Sequence, residues 1–243
     1  MTPTLSELID LLKAKGSFWP PWMVGQDGWL TGYDPDDNLK FEDQWENWIA
    51  TADASWLPAL FTIALNPPII ETPYGGVKPD EWILTITEVI WAIAKTEPVT
   101  VVDKLLSAFD QNGEPEVFIS FFSYISWGVR IAYNVPDGPN CSTGIALIGR
   151  MLDALAPLVA LLDDKSDRFV LRLIEALGGI RGRKISEQNT SIDADCAYRL
   201  RAHNLLSQVA SIISPSRAEV YQSVNDYLNP PLESATTSMR IGN

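Results

Sequence analysis

Apolar residues recur at spacings of three and four along almost every segment from Asp80 to Leu228. That period narrows the possible folds more than any other feature of the chain. It turns one side of a helix toward a core, whereas a strand with one buried face needs alternation at every second residue. Asp80–Lys95 is the plainest case. Trp82, Ile83, Ile86, Val89, Ile90 and Ile93 form one stripe, and Pro79 stands at its start. Pro98–Phe109 repeats the pattern and stops at "DQNG". Glu116–Tyr133 is apolar almost all round, which predicts a central buried helix. A helix over Gly144–Leu162, with Ser142 or Thr143 as its cap, should kink near Pro157. Asp167–Leu177 follows, capped by Ser166 and closed by Gly178-Gly179. Two more helices span Ser191–Ser214 and Ser216–Leu228. No stretch shows convincing strand alternation, and no repeat of fixed period occurs. The expected fold is all-α: a compact domain of about 8–10 helices.

The ends differ from this core. Leu5, Leu8, Ile9 and Leu12 share one face of a short N-terminal helix, with Thr4 or Ser6 to cap it and Gly16 to stop it. "SFWPPWMVGQDGWLTGYDPDDN" follows, in which Pro20-Pro21 favours extended chain and the glycines are turn sites. Such an amphipathic helix either folds back on its own core or docks on another subunit as an arm. Short helices over Phe41–Ala50 and Ser55–Leu65 precede a loop over Asn66–Pro79, where six of fourteen residues are Pro or Gly. After Leu228, Pro230-Pro231 bars further helix, and residues 229–243 read as an extended tail. The organisation expected is an N-terminal arm and aromatic linker over 1–40, a helical core over 41–228 and a C-terminal tail over 229–243.

The chain carries 31 acidic and 18 basic residues, a net charge of −13. That argues against broad non-specific binding to nucleic acid or anionic membrane. Residues 1–160 hold 21 Asp/Glu and 8 Lys/Arg, whereas residues 161–243 hold ten of each. The densest basic cluster lies in "GGIRGRKISEQ": Arg181, Arg183 and Lys184, with Arg199 and Arg201 on the next helix. These five are the candidate contacts to a polyanion, either nucleic acid phosphate or an acidic face of a second subunit. Eight of nine tryptophans fall in the first 91 residues. Trp82 and Trp91 read as core. Trp19, Trp22 and Trp29, in the Pro/Gly-rich segment, join Leu5, Leu8, Ile9 and Leu12 as candidate interface residues.

Little in the sequence points to chemistry. Two cysteines, Cys141 and Cys196, and one histidine, His203, are too few for a Cys/His zinc site. Cys196 and His203 lie two helical turns apart, too far for a hydrogen-bonded dyad. "DPDDNLKFEDQWE" begins like a calcium loop, but Leu39 stands where the turn needs glycine and Trp45 where it needs a bidentate glutamate. No nucleophile elbow, phosphate loop or dinucleotide fingerprint occurs. The N-terminus has acids inside its apolar stretch and no cleavage signature. The most apolar window, Ile145–Leu162, contains Arg150 and Asp153 and is broken by Pro157. The expectation is therefore a non-enzymatic structural or assembly subunit, coat- or nucleocapsid-like, without cofactors or metals. It would self-associate through its terminal arms, with nucleic acid as a further partner, in the cytoplasm or inside an assembled particle, and off the membrane. An acidic protein that neutralises a basic partner, in the manner of an immunity or inhibitor module, is the alternative. An enzyme of unknown class ranks third.

Overall fold

The structure is a computed structural model, and it describes residues 3–14, 46–69, 71–72, 75–76, 79–111, 115–135, 138, 140–162, 165–181 and 197–229. Besides a helical turn at 46–49, nine α-helices have their bounds among them: α1 (Leu5–Ala14), α2 (Leu57–Leu65), α3 (Pro79–Thr96), α4 (Pro98–Gln111), α5 (Pro115–Ala132), α6 (Cys141–Val159), α7 (Asp167–Arg181), α8 (Ala197–Ile212) and α9 (Ala218–Leu228). The all-α expectation holds. The Pro/Gly loop adds one detail that propensity did not reveal. Glu71–Thr72 pairs antiparallel with Gly75–Gly76.

The local signals that worked are short-range ones. Thr4 and Glu7 form a capping box: the Thr4 amide donates to Glu7 Oε2 at 2.8 Å, and the Glu7 amide donates to Thr4 Oγ1 at 3.2 Å. Backbone and side-chain hydrogen bonds from Thr4 hold the Glu7 carboxyl below its ordinary pKa. Ser166 caps α7, accepting from the Phe169 amide at 3.2 Å. Asn134 ends α5 in the left-handed region, with φ 47°. The Val135 amide reaches back to the Arg130 carbonyl at 2.9 Å, and the Asn134 amide to that of Ile131 at 3.2 Å. This is the double closure that lets asparagine replace glycine after a helix.

Helix α5 is central, as its apolar sequence predicts. It packs on α3, α4, α6 and α7, while α8 lies on α6 and α7, and α9 on α7 and α8. Phe118, Phe121 and Phe122 are fully buried at its N-terminal half. Phe61 of α2 meets Phe118 edge-on at 5.4 Å and stacks on Phe121 at 5.8 Å; Phe109 of α4 meets Phe122 at 5.3 Å. Each such ring contributes about 1.5–3 kcal/mol by burial. The whole α3 stripe from Trp82 to Ile93 is buried, and Trp82 Nε1 donates to the Pro68 carbonyl at 3.1 Å.

Three expectations need correcting. First, α1 is not a free arm in this chain. Leu8 and Leu12 are completely buried against α2 and α3, Ile9 is partly buried, and only Leu5 stays exposed. Folding back removes two leucines from water at no cost in association entropy. Second, Gly178 and Gly179 do not end α7, which runs on to Arg181. Third, α6 begins at Cys141 after Asn140, with no side-chain cap, rather than behind Ser142 or Thr143. The two charges that interrupt the apolar window of α6 are both paired. Arg150 pairs with Asp103 of α4 at 2.8 Å, and Asp153 pairs with Arg201 of α8. Helix α6 is long and apolar enough to cross a membrane by length and composition, yet Leu147, Ile148, Met151, Leu152 and Leu155 sit in the core.

The glycines inside helices mark where helices approach closely. A Cβ on Gly179 would stand 1.8 Å from Ser123 Oγ and 2.6 Å from Ser123 Cβ on α5. On Gly178 it would enter the ring of Tyr227 on α9, and on Gly128 it would meet Ala94 Cβ of α3 at 2.6 Å. Small residues therefore draw α3, α7 and α9 in around α5 and its neighbours. That spacing sets the shape of the groove described next.

Candidate functional site

The central helix is not covered on every side. Tyr124, Trp127 and Ile131 follow one another at spacings of three and four on α5, and they are 40%, 52% and 50% exposed. Leu84 on α3 is 52% exposed beside them. Between α3 and α7 this strip forms the floor of an open groove of about 740 Å³. Its α3 wall includes Leu84, Glu88 and the half-buried Trp91. Its α7 wall includes Arg172, Glu175 and Gly179, and Tyr227 of α9 closes one end.

Chemically the groove is aromatic with a polar rim. Arg172 Nη1 pairs with Glu175 at 3.2 Å on the α7 side. Lys95 places its ammonium 3.9 Å from the centre of the Trp91 ring, a cation–π contact. Arg130 lies 5.4 Å from the Trp127 ring. Trp91 Nε1 and Ser120 Oγ, on two residues that line the groove, are buried without a hydrogen-bond partner. Among the described residues no group of three or more His, Cys, Asp or Glu comes together as a metal site.

The basic cluster looks different in three dimensions. Arg181 is 5% exposed and donates from Nη1 to the Tyr227 carbonyl at the end of α9. Burial pushes its guanidinium below the ordinary pKa. Arg130 Nη2 donates to the Gly179 and Ile180 carbonyls at 2.8 and 3.2 Å, at the end of α7. Two arginines thus serve the negative ends of two helices, each supplied by a different helix. As a solvent-facing polyanion contact Arg181 is corrected: a cation so buried has no surface to offer. Arg201 is engaged by Asp153, and Arg199 Nε lies 3.2 Å from the Tyr198 hydroxyl. Arg183 and Lys184 lie outside the described residues, as do Trp19, Trp22, Trp29 and the calcium-like stretch. His203, half-buried on α8, has Nδ1 buried without a partner. Burial first, and then the charge of Arg181, hold its pKa below the ordinary value. Cys141 is a half-exposed free thiol at the start of α6.

Compared with known proteins, the chain matches no family model, no curated protein and no solved structure. The groove therefore has to be read from its own chemistry. Its key residue, Trp127, is the one tryptophan outside the first 91 residues. The available signal was the Tyr124, Trp127, Ile131 spacing, which put large side chains on a helix side that the core did not need.

Proposed function

We propose that the chain is a non-enzymatic assembly subunit, coat- or nucleocapsid-like in type, and that the groove over α5 is where copies meet. The observation that carries this reading is the exposed strip of Leu84, Tyr124, Trp127 and Ile131 on and beside the central helix. Half-exposed Tyr and Trp leave on the order of 200 Å² of apolar surface in water, or about 5 kcal/mol of burial still available. Aromatic residues of this kind anchor protein interfaces because they bury large areas with few rotors to freeze. The arm contact expected at α1 is replaced in this reading, since Leu8 and Leu12 are already buried in their own chain.

Mass in solution tests it. The wild-type chain should run above its 26.9 kDa monomer mass and shift toward the monomer on dilution. Trp127→Asp together with Tyr124→Asp should yield a folded monomer, because both side chains are exposed and carry no core packing. A wild-type chain that stays monomeric at high concentration refutes the reading.

A further inference from the structure

We infer that the occupant of the groove is the C-terminal segment, residues 230–243, of a neighbouring copy of this chain; this rests on the assembly reading above. Two observations point to it.

The first is position. Tyr227 closes one end of the groove, and the described chain ends two residues later at Asn229. Asn229 has φ −129° and ψ 67°, so the backbone has already left the helix there. The fourteen residues that follow, "PPLESATTSMRIGN", can span up to roughly 45 Å when extended. That is enough to leave one subunit and cross the groove of the next.

The second is chemical fit. Grooves lined by tryptophan and tyrosine take up proline-rich extended chain, because flat rings pack on the pyrrolidine faces and little conformational entropy is left to lose. Trp91, Tyr124, Trp127 and Tyr227 supply such rings, and the segment begins with Pro230-Pro231. Leu232, Met239 and Ile241 add apolar anchors.

Complementation between full-length variants tests the inference. One variant carries Trp127→Ala and Tyr124→Ala in the groove; the other carries Leu232→Asp and Ile241→Asp in the segment. Helical circular dichroism first confirms that both are folded, and light scattering then gives the masses. Wild type should reach at least twice 26.9 kDa, and each variant alone should run as a single chain. A 1:1 mixture should form dimers, because one partner still has a segment and the other a groove. If the segment variant assembles like wild type, the segment is not the occupant, and the assembly reading stands without it. If both variants are monomeric and the mixture makes no dimer, the segment acts on its own chain, which overturns the neighbour. A wild type that is itself monomeric sinks the assembly reading and this inference together.

Discussion

Replacing Gly179 by alanine should destabilise the fold although alanine is the better helix former. Propensity alone favours the change by about 1 kcal/mol at an interior helix position. Packing opposes it. The new Cβ would lie 1.8 Å from Ser123 Oγ and 2.6 Å from Ser123 Cβ. Rotation of Ser123 moves the hydroxyl but leaves its Cβ in place, so α5 and α7 must part locally by about 1 Å. Overpacking of this kind costs about 1–3 kcal/mol, and a backbone-attached obstacle puts it near the upper end, for a net loss of about 1–2 kcal/mol. In a chain of 243 residues that lowers Tm by roughly 2–8 °C. Gly149 on α6 is the control: nothing lies within 4 Å of its would-be Cβ, so Gly149→Ala should stabilise by about 0.5–1 kcal/mol. Urea and thermal unfolding followed by helical ellipticity measure both. Adding Ser123→Gly to Gly179→Ala leaves the Ser123 Cα, 3.5 Å away, as the nearest of these atoms. The double variant should then show a favourable coupling energy. A Gly179→Ala protein as stable as the Gly149→Ala control would refute the close crossing.

Other expectations follow from single contacts. Arg181→Met should cost about 1–3 kcal/mol, because the Tyr227 carbonyl loses its buried donor; denaturation midpoints at neutral pH would show it, and an unchanged midpoint would contradict the buried arrangement. His203 has a folded-state pKa below 6.5, so the unfolded chain takes up the proton first. Stability should therefore fall as pH drops below about 6.5, until the folded imidazole itself titrates, and His203→Gln should flatten that slope while matching wild type above about pH 7. Leu8→Asp should lower the stability of the monomer by several kcal/mol rather than weaken self-association selectively, since Leu8 is fully buried in its own chain. Arg201→Ala should cost no more than about 1 kcal/mol, as expected for a half-exposed ion pair with Asp153, and less in high salt.

The sequence by itself determined what rests on contacts a few residues apart. The α3 stripe, the Thr4 and Ser166 caps, the place of α5 at the centre and the all-α class all follow from a 3.6-residue period and from hydrogen bonds within one turn. Those interactions need no partner element, so they can be read along the chain. The tertiary structure decided the rest. Gly178-Gly179 has the composition of a helix stop, yet it serves as a crossing, because the tight approach of Ser123 and Tyr227 needs a side without a Cβ. Arg181 belongs to the densest run of basic residues in the sequence, but the end of α9, brought beside it by packing, takes its guanidinium out of solvent. Leu8 and Leu12 make the same stripe whether they face their own core or another subunit. Only the presence of α2 and α3 beneath them settled which. The strip of Tyr124, Trp127 and Ile131 is the reverse case. Its residue types promised burial all round, and it stays open because none of the described helices covers that side of α5.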